Sequence, residues 1–66
     1  MQGSIQSQII QPLLITVEEA AKMLSLGRTT VYQLIDRENL PVHRFNSSVR
    51  ISPQELEQWL KERQAE

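Results

Sequence analysis

The sequence predicts a mainly α fold with one small β-hairpin, ordered helix, turn, helix, hairpin, helix. Two apolar stripes at helical spacing, Val17/Ala20/Ala21/Leu24 and Val31/Leu34/Ile35, are separated only by Ser25-Leu26-Gly27. An alternating segment follows, interrupted by Asn46-Ser47-Ser48. A second helix-start signature, Ser52-Pro53-Gln54-Glu55, then opens a third stripe of Leu56, Trp59 and Leu60. The chain has 66 residues and no cysteine, so it has room for one thin core and neither a disulfide nor a thiolate zinc site to reinforce it.

Each element has a local reason. Residues 1–12 carry no charge, are rich in Gln and Ser, and end in a proline, which reads as a flexible arm. Ile5, Ile9 and Ile10 fall at helical spacing within it, which leaves a short helix or a partner contact open. Residues 13–63 form the domain. Thr16 and Glu19 make a capping box that starts the first helix near Val17, and Glu18 with Lys22 forms an i, i+4 pair on its outer side. Ala20 and Ala21 leave room for a second helix to cross closely. Gly27 either ends the first helix with a positive φ or caps the second, and Leu26 plugs the corner. The second helix runs from Arg28 to Arg37 and stops before Asn39 and Pro41.

With Asn46, Ser47 and Ser48 as the hairpin loop, Phe45 faces Val49, His43 faces Ile51 and Arg44 faces Arg50. Phe45, Val49 and Ile51 then share one side, and both arginines share the other. Ser52 caps the third helix, Glu55 closes its box, and Ile51 staples onto Leu56. That helix frays near Arg63, leaving residues 64–66 as a loose end.

The formal net charge of −1 conceals a segregation along the chain. Residues 20–50 hold Lys22, Arg28, Arg37, Arg44 and Arg50 against Asp36 and Glu38, while both flanking segments are acidic. On charge alone, ordinary solvated surface charge is the favoured explanation, with an anionic partner as the other. A single histidine, His43, and no cysteine argue against a metal site or a nucleophilic relay. The first-turn carboxylates Glu18, Glu19, Glu55 and Glu57 are explained by capping and the helix dipole. The chain is therefore expected to be neither an enzyme nor cofactor-dependent. It shows neither a signal-peptide pattern nor an apolar run near the roughly 20 residues of a membrane span. A soluble cytoplasmic protein is the default expectation.

The two-helix corner makes a geometric demand. In a helix-turn-helix the second helix enters the major groove while its inner face packs on the first. At about 100° per residue, the side opposite Val31, Leu34 and Ile35 is occupied by Thr29 and Gln33, with Tyr32 and Arg37 on its flanks. Gln pairs with adenine, Thr meets a hydrogen-bonding edge or a thymine methyl, and Arg reads guanine or grips phosphate. Arg28, at the helix start, is suited to either. Thr30 points nearly perpendicular to the buried centre, toward a phosphate or the first helix. As plain alternatives, Thr29, Thr30 and Gln33 are solvated helix residues, Tyr32 is a half-buried ring, and His43 is a hairpin-surface or core-edge residue. Arg44 opposite Arg50 is a repulsive cross-strand pair that an anion between them would relieve. That makes the hairpin a wing along a nucleic-acid backbone.

From Leu14 to Lys61 the segments LITVEEAAKMLSLGRTTVYQLI, ENLPVHRF and VRISPQELEQWL resemble the excisionase-type DNA-binding domains, winged helix-turn-helix modules related to the DNA-binding head of MerR-like regulators. The resemblance implies that Arg28, Thr29, Thr30, Tyr32 and Gln33 occupy recognition-helix positions and that Arg44 and Arg50 occupy phosphate-facing wing positions. It also implies a bacterial or phage origin, an accessory role in mobile-element recombination with an integrase as partner, and self-association on adjacent sites of double-stranded DNA. The family often has serine at Gly27, a basic residue at Gln33, and a glycine with basic residues at the wing tip, where this chain has Asn46, Ser47 and Ser48. These departures predict weaker salt-dependent affinity and a shallower wing-tip contact. A small transcriptional regulator is the alternative within DNA binding, and a protein-interaction module of the same fold is the alternative outside it.

Overall fold

In a computed structural model that describes residues 11–64, two of the three helix starts follow from side-chain capping. The elements are β1 (Ile15–Thr16), α1 (Val17–Leu24), α2 (Arg28–Arg37), β2 (His43–Phe45), β3 (Ser48–Ile51) and α3 (Pro53–Gln64). The expected arm and loose end fall outside the described residues, apart from Gln11, Pro12 and Gln64. Gln64, expected to be frayed, closes α3.

The capping box at α1 is complete: the Glu19 amide donates to Thr16 Oγ1 (3.1 Å), and the Thr16 amide donates to Glu19 Oε1 (2.9 Å). At α3 only half of the expected box forms. The Glu55 amide donates to Ser52 Oγ at 3.2 Å. The Glu55 carboxylate, however, lies 2.9 Å from His43 Nε2, so it ties the hairpin to α3 instead of returning to the Ser52 amide.

The corner between α1 and α2 differs in detail from expectation. Ser25, not Gly27, takes the left-handed conformation (φ 58), and Gly27 caps α2 in an extended one (φ −79). Ser25 N–H donates to the Lys22 carbonyl (3.2 Å) and Leu26 N–H to the Ala21 carbonyl (2.9 Å), the two bonds of a Schellman motif. Anchoring the Leu26 backbone in this way leaves its side chain exposed (43%) instead of plugging the corner.

The hairpin register is shifted by one residue from the expected pairing. His43 pairs with Arg50, Arg44 with Val49 and Phe45 with Ser48, so the turn contains two residues, Asn46 and Ser47. Asn46 takes φ 57, the positive angle at the first turn position that short hairpins use. Because strand side chains alternate, one residue of slip reverses faces. Arg44 shares a face with Val49 and Ile51, whereas Arg50 shares the other with His43 and Phe45. Phe45 is consequently exposed (54%) rather than packed with Val49 and Ile51. The like-charge pair that was to hold an anion does not form.

A further strand was not anticipated. β1 pairs antiparallel with β3, Ile15 opposite Ile51 and Thr16 opposite Arg50, giving a sheet of order β1-β3-β2. The core gathers Ile15, Val17, Ala20, Ala21, Val31, Leu40, Ile51, Leu56 and Trp59, with Leu24, Leu34, Ile35, Val42, Val49 and Leu60 packed against it. Three helices around a small antiparallel sheet make a winged helix-turn-helix.

Ile51 and Val31 are the largest fully buried side chains. Ile51→Ala is expected to lower stability by about 2–5 kcal/mol, read as a lower urea midpoint. Thr16→Ala is expected to cost about 1 kcal/mol near neutral pH. The Thr16 amide, then its hydroxyl, and more weakly Arg50 and Lys22, hold the Glu19 carboxyl below its ordinary value. Its stabilisation is therefore complete above the unfolded carboxylate value and is lost as pH falls through the folded one. Urea midpoints of the parent and Glu19→Gln should converge as pH is lowered through that range, because protonation leaves the parent with a neutral side chain at the same position.

Candidate nucleic-acid interface

What α2 buries decides what it presents. Val31 is completely enclosed and Leu34 and Ile35 are half-buried, while Arg28, Thr29, Thr30, Tyr32, Gln33, Asp36 and Arg37 are exposed. The two ends of the helix are held differently. It starts at Gly27, which has no side chain to bond the first-turn amides. It ends with the Glu38 amide on the Leu34 carbonyl (2.9 Å), after which Asn39 turns through φ 62 and Leu40 drops into the core.

The far end of α2 is clamped by α3. Trp59 Nε1 donates to the Glu38 carbonyl (3.2 Å), and Arg63 Nη1 bonds Glu38 Oε1 (3.0 Å) while its guanidinium stacks 4.6 Å from the Trp59 ring centroid. Trp59 is thus the expected core residue, with a polar tip that holds the exit of α2.

On the outer side, Thr29, Tyr32, Gln33, Arg37 and Arg44 line a shallow depression of about 370 Å³ together with Ile35 and Asp36. The register shift is what brings Arg44 here, because it turns that side chain toward the α2 side of the sheet. Arg50, by contrast, sits on β3 between its pairing partners Thr16 of β1 and His43 of β2, and its Nη1 donates to the Val49 carbonyl (3.0 Å). Of the two wing arginines, one joins the helix face and the other does not. Thr30 is exposed but does not line the depression.

Arg28 has a partner that the sequence pattern missed. Its Nε lies 2.8 Å from Glu18 Oε2, and its guanidinium sits 5.3 Å from the Tyr32 ring centroid. Helical spacing assigns Glu18 to Lys22, but no such pair forms among the described residues. The only sequence signal for the observed pair was the acid in the first turn of one helix and the base opening the next, joined by a three-residue corner. His43 was expected at the hairpin surface or core edge; it is half-buried and engages Glu55.

Among the described residues no group of three or more acidic or histidine side chains is arranged to hold a metal, and no helix is long and apolar enough to cross a membrane. The α2 face offers hydroxyl, amide, phenol and guanidinium groups, suited to the edges and phosphates of a duplex, beside one carboxylate, Asp36, that repels a phosphate.

A protein-family model described as a helix-turn-helix domain matches residues 14–64, which include every helix and strand described above. No curated protein and no solved structure matches the chain.

The clamp at Glu38 generates a stability prediction. Trp59→Phe removes the indole donor and is expected to cost about 1–3 kcal/mol, whereas Arg63→Ala, which loses an exposed pair and a ring contact, is expected to cost about 1 kcal/mol or less. Urea unfolding of both variants checks the order, and a larger loss for Arg63→Ala would refute it.

Proposed function

The chain belongs to the helix-turn-helix domain family, a DNA-binding family that includes excisionase-like proteins, and from that premise we propose that it acts as an excisionase-like accessory factor, reading duplex DNA with α2. The observation that carries the reading is the exposed row Thr29, Tyr32, Gln33 and Arg37 beside Arg44, on the side of α2 away from the core.

In this reading α2 lies in the major groove. Gln33 contacts adenine N6 and N7 in a bidentate pair, and Thr29 meets a neighbouring base edge or thymine methyl. Arg28 opens the helix within reach of a guanine or a phosphate, and Tyr32, Thr30 and Arg37 contact the backbone at the groove margins. Arg44 from the wing supplies a phosphate contact beside the helix. Arg50, on the other face of the hairpin, contributes less.

A face this small offers few base contacts, each worth roughly 1–3 kcal/mol of discrimination. Useful specificity then calls for neighbouring copies or a DNA-bound partner such as an integrase. Several copies on adjacent sites, bending the duplex between them, would assemble a recombination complex while breaking no bond themselves.

Selection from a random duplex pool followed by a bending assay tests the role. Adjacent, phased sites and a bent complex are expected. Isolated sites without bending favour a transcriptional regulator, and absence of any duplex binding at low salt favours an interaction module. For the residues, Thr29→Ala and Gln33→Ala should change which sequences are selected. Arg44→Ala should weaken all duplexes alike, flatten the salt dependence by about one phosphate contact, and exceed the effect of Arg50→Ala. The opposite pattern would overturn the assignment.

A further inference from the structure

Asp36 is the one carboxylate in the depression on the α2 face, which it lines together with Gln33, Arg37 and Arg44, and it is exposed. Neither arginine holds it, since no ion pair among the described residues includes Asp36. The helix does not explain it either. Asp36 is in the last turn of α2, which ends at Arg37, and the free carbonyls there disfavour an anion. Capping accounts for Glu19, and ion pairing for Glu18, Glu38 and Glu55, but neither gives Asp36 a role in the fold.

Its direction separates it from the residues at the margins of the face. At about 100° per residue, Thr29, Gln33 and Asp36 lie within about 35° of the direction opposite Val31, Leu34 and Ile35, whereas Tyr32 and Arg37 lie about 65–75° from it. The central row therefore reads hydroxyl, amide, carboxylate. With α2 in the major groove, that row looks at base edges and the flanks look at phosphates. At about 1.5 Å of rise per residue, Asp36 follows Gln33 by about 4.5 Å, slightly more than the spacing of about 3.4 Å between base pairs. Arg44 of the wing, in the same depression, supplies a phosphate contact that keeps the duplex beside this end of α2.

We infer that Asp36 is a specificity-determining residue that accepts a hydrogen bond from the amino group of a cytosine, a reading that rests on the DNA-binding role proposed above. A carboxylate ion accepts hydrogen bonds and donates none. Cytosine alone presents an amino donor in the major groove without an acceptor of its own beside it: adenine sets N7 next to its amino group, guanine offers O6 and N7, and thymine offers O4 and a methyl. Repulsion between Asp36 and phosphates is common to every duplex and cancels when two sites are compared. The base-edge contact does not cancel, because guanine or thymine at the same place leaves the desolvated carboxylate facing another acceptor.

The test selects duplexes with the full chain and with Asp36→Ala, Asp36→Asn and Gln33→Ala, each fold verified by a melting curve, and measures affinities by fluorescence anisotropy. The parent should select a cytosine one or two base pairs from the position that Gln33→Ala relaxes. Replacing that C·G pair by T·A should weaken the parent by about tenfold and Asp36→Ala by less than about twofold. Asp36→Asn should move the preference at the same position to adenine, whose N6 and N7 pair with an amide. An unchanged selected sequence with equally tighter binding of Asp36→Ala to every duplex would make Asp36 a repeller of phosphate and overturn the assignment. So would an unchanged sequence at unchanged affinity, the behaviour of a solvated side chain. Failure of the parent to bind any duplex at low salt would remove the DNA-binding role itself, and the cytosine contact with it.

Discussion

Ile51, wholly enclosed on the middle strand, is the constraint from which the rest of the arrangement follows. Facing Ile15 across the sheet, it joins the strand that feeds α1 to the strand that feeds α3. With Ile51 turned inward, alternation turns Val49 inward and Arg50 outward. The two-residue turn then leaves Arg44 opposite Val49, on the inner face but beyond the core, beside α2. One buried aliphatic side chain and one short turn thus decide which wing arginine accompanies the helix.

The corner supplies the second half of the geometry. Ala20 and Ala21 are buried with Val31 in one cluster, and side chains of that size let α2 lie close across α1. Val31 at the contact forces Thr29 and Gln33 to the opposite side of α2. The Ser25 turn ends α1 three residues before α2 begins, and the Glu38 clamp holds the far end of α2 on α3. A face used for reading sequence needs such anchoring, because hydrogen-bonded base contacts tolerate only small misplacements.

Local chemistry was legible in the sequence, and pairing between distant segments was legible only in part. The Thr16–Glu19 box, the extent of α2 and the Ser52 cap depend on residues within four positions of each other, and the residues themselves announce them. Hairpin register depends on whether Ser48 belongs to the turn or to the strand, and Ser suits both. β1 has only two residues, too few for alternation to show, and exists because β3 offers it a partner. For the α2 face, helical periodicity was sufficient to pick out Thr29, Tyr32, Gln33 and Arg37, since exposure on a helix follows from what its other side buries. The Glu18–Arg28 pair was not legible, because i, i+4 spacing offers Glu18 a partner on its own helix and the competing one becomes a neighbour only after the corner has formed.

Trp59 is the chain's one tryptophan, and its indole nitrogen is bonded to the carbonyl at the end of α2. Its emission therefore reports on a single junction, the seat of α2 on α3, without any attached label. A guanidinium stacked on the ring and an amide-type acceptor at its nitrogen both shape that emission, so a change at the junction changes the spectrum. The protein carries an intrinsic optical gauge of how firmly α2 is held, located at the opposite end from the Arg28 corner.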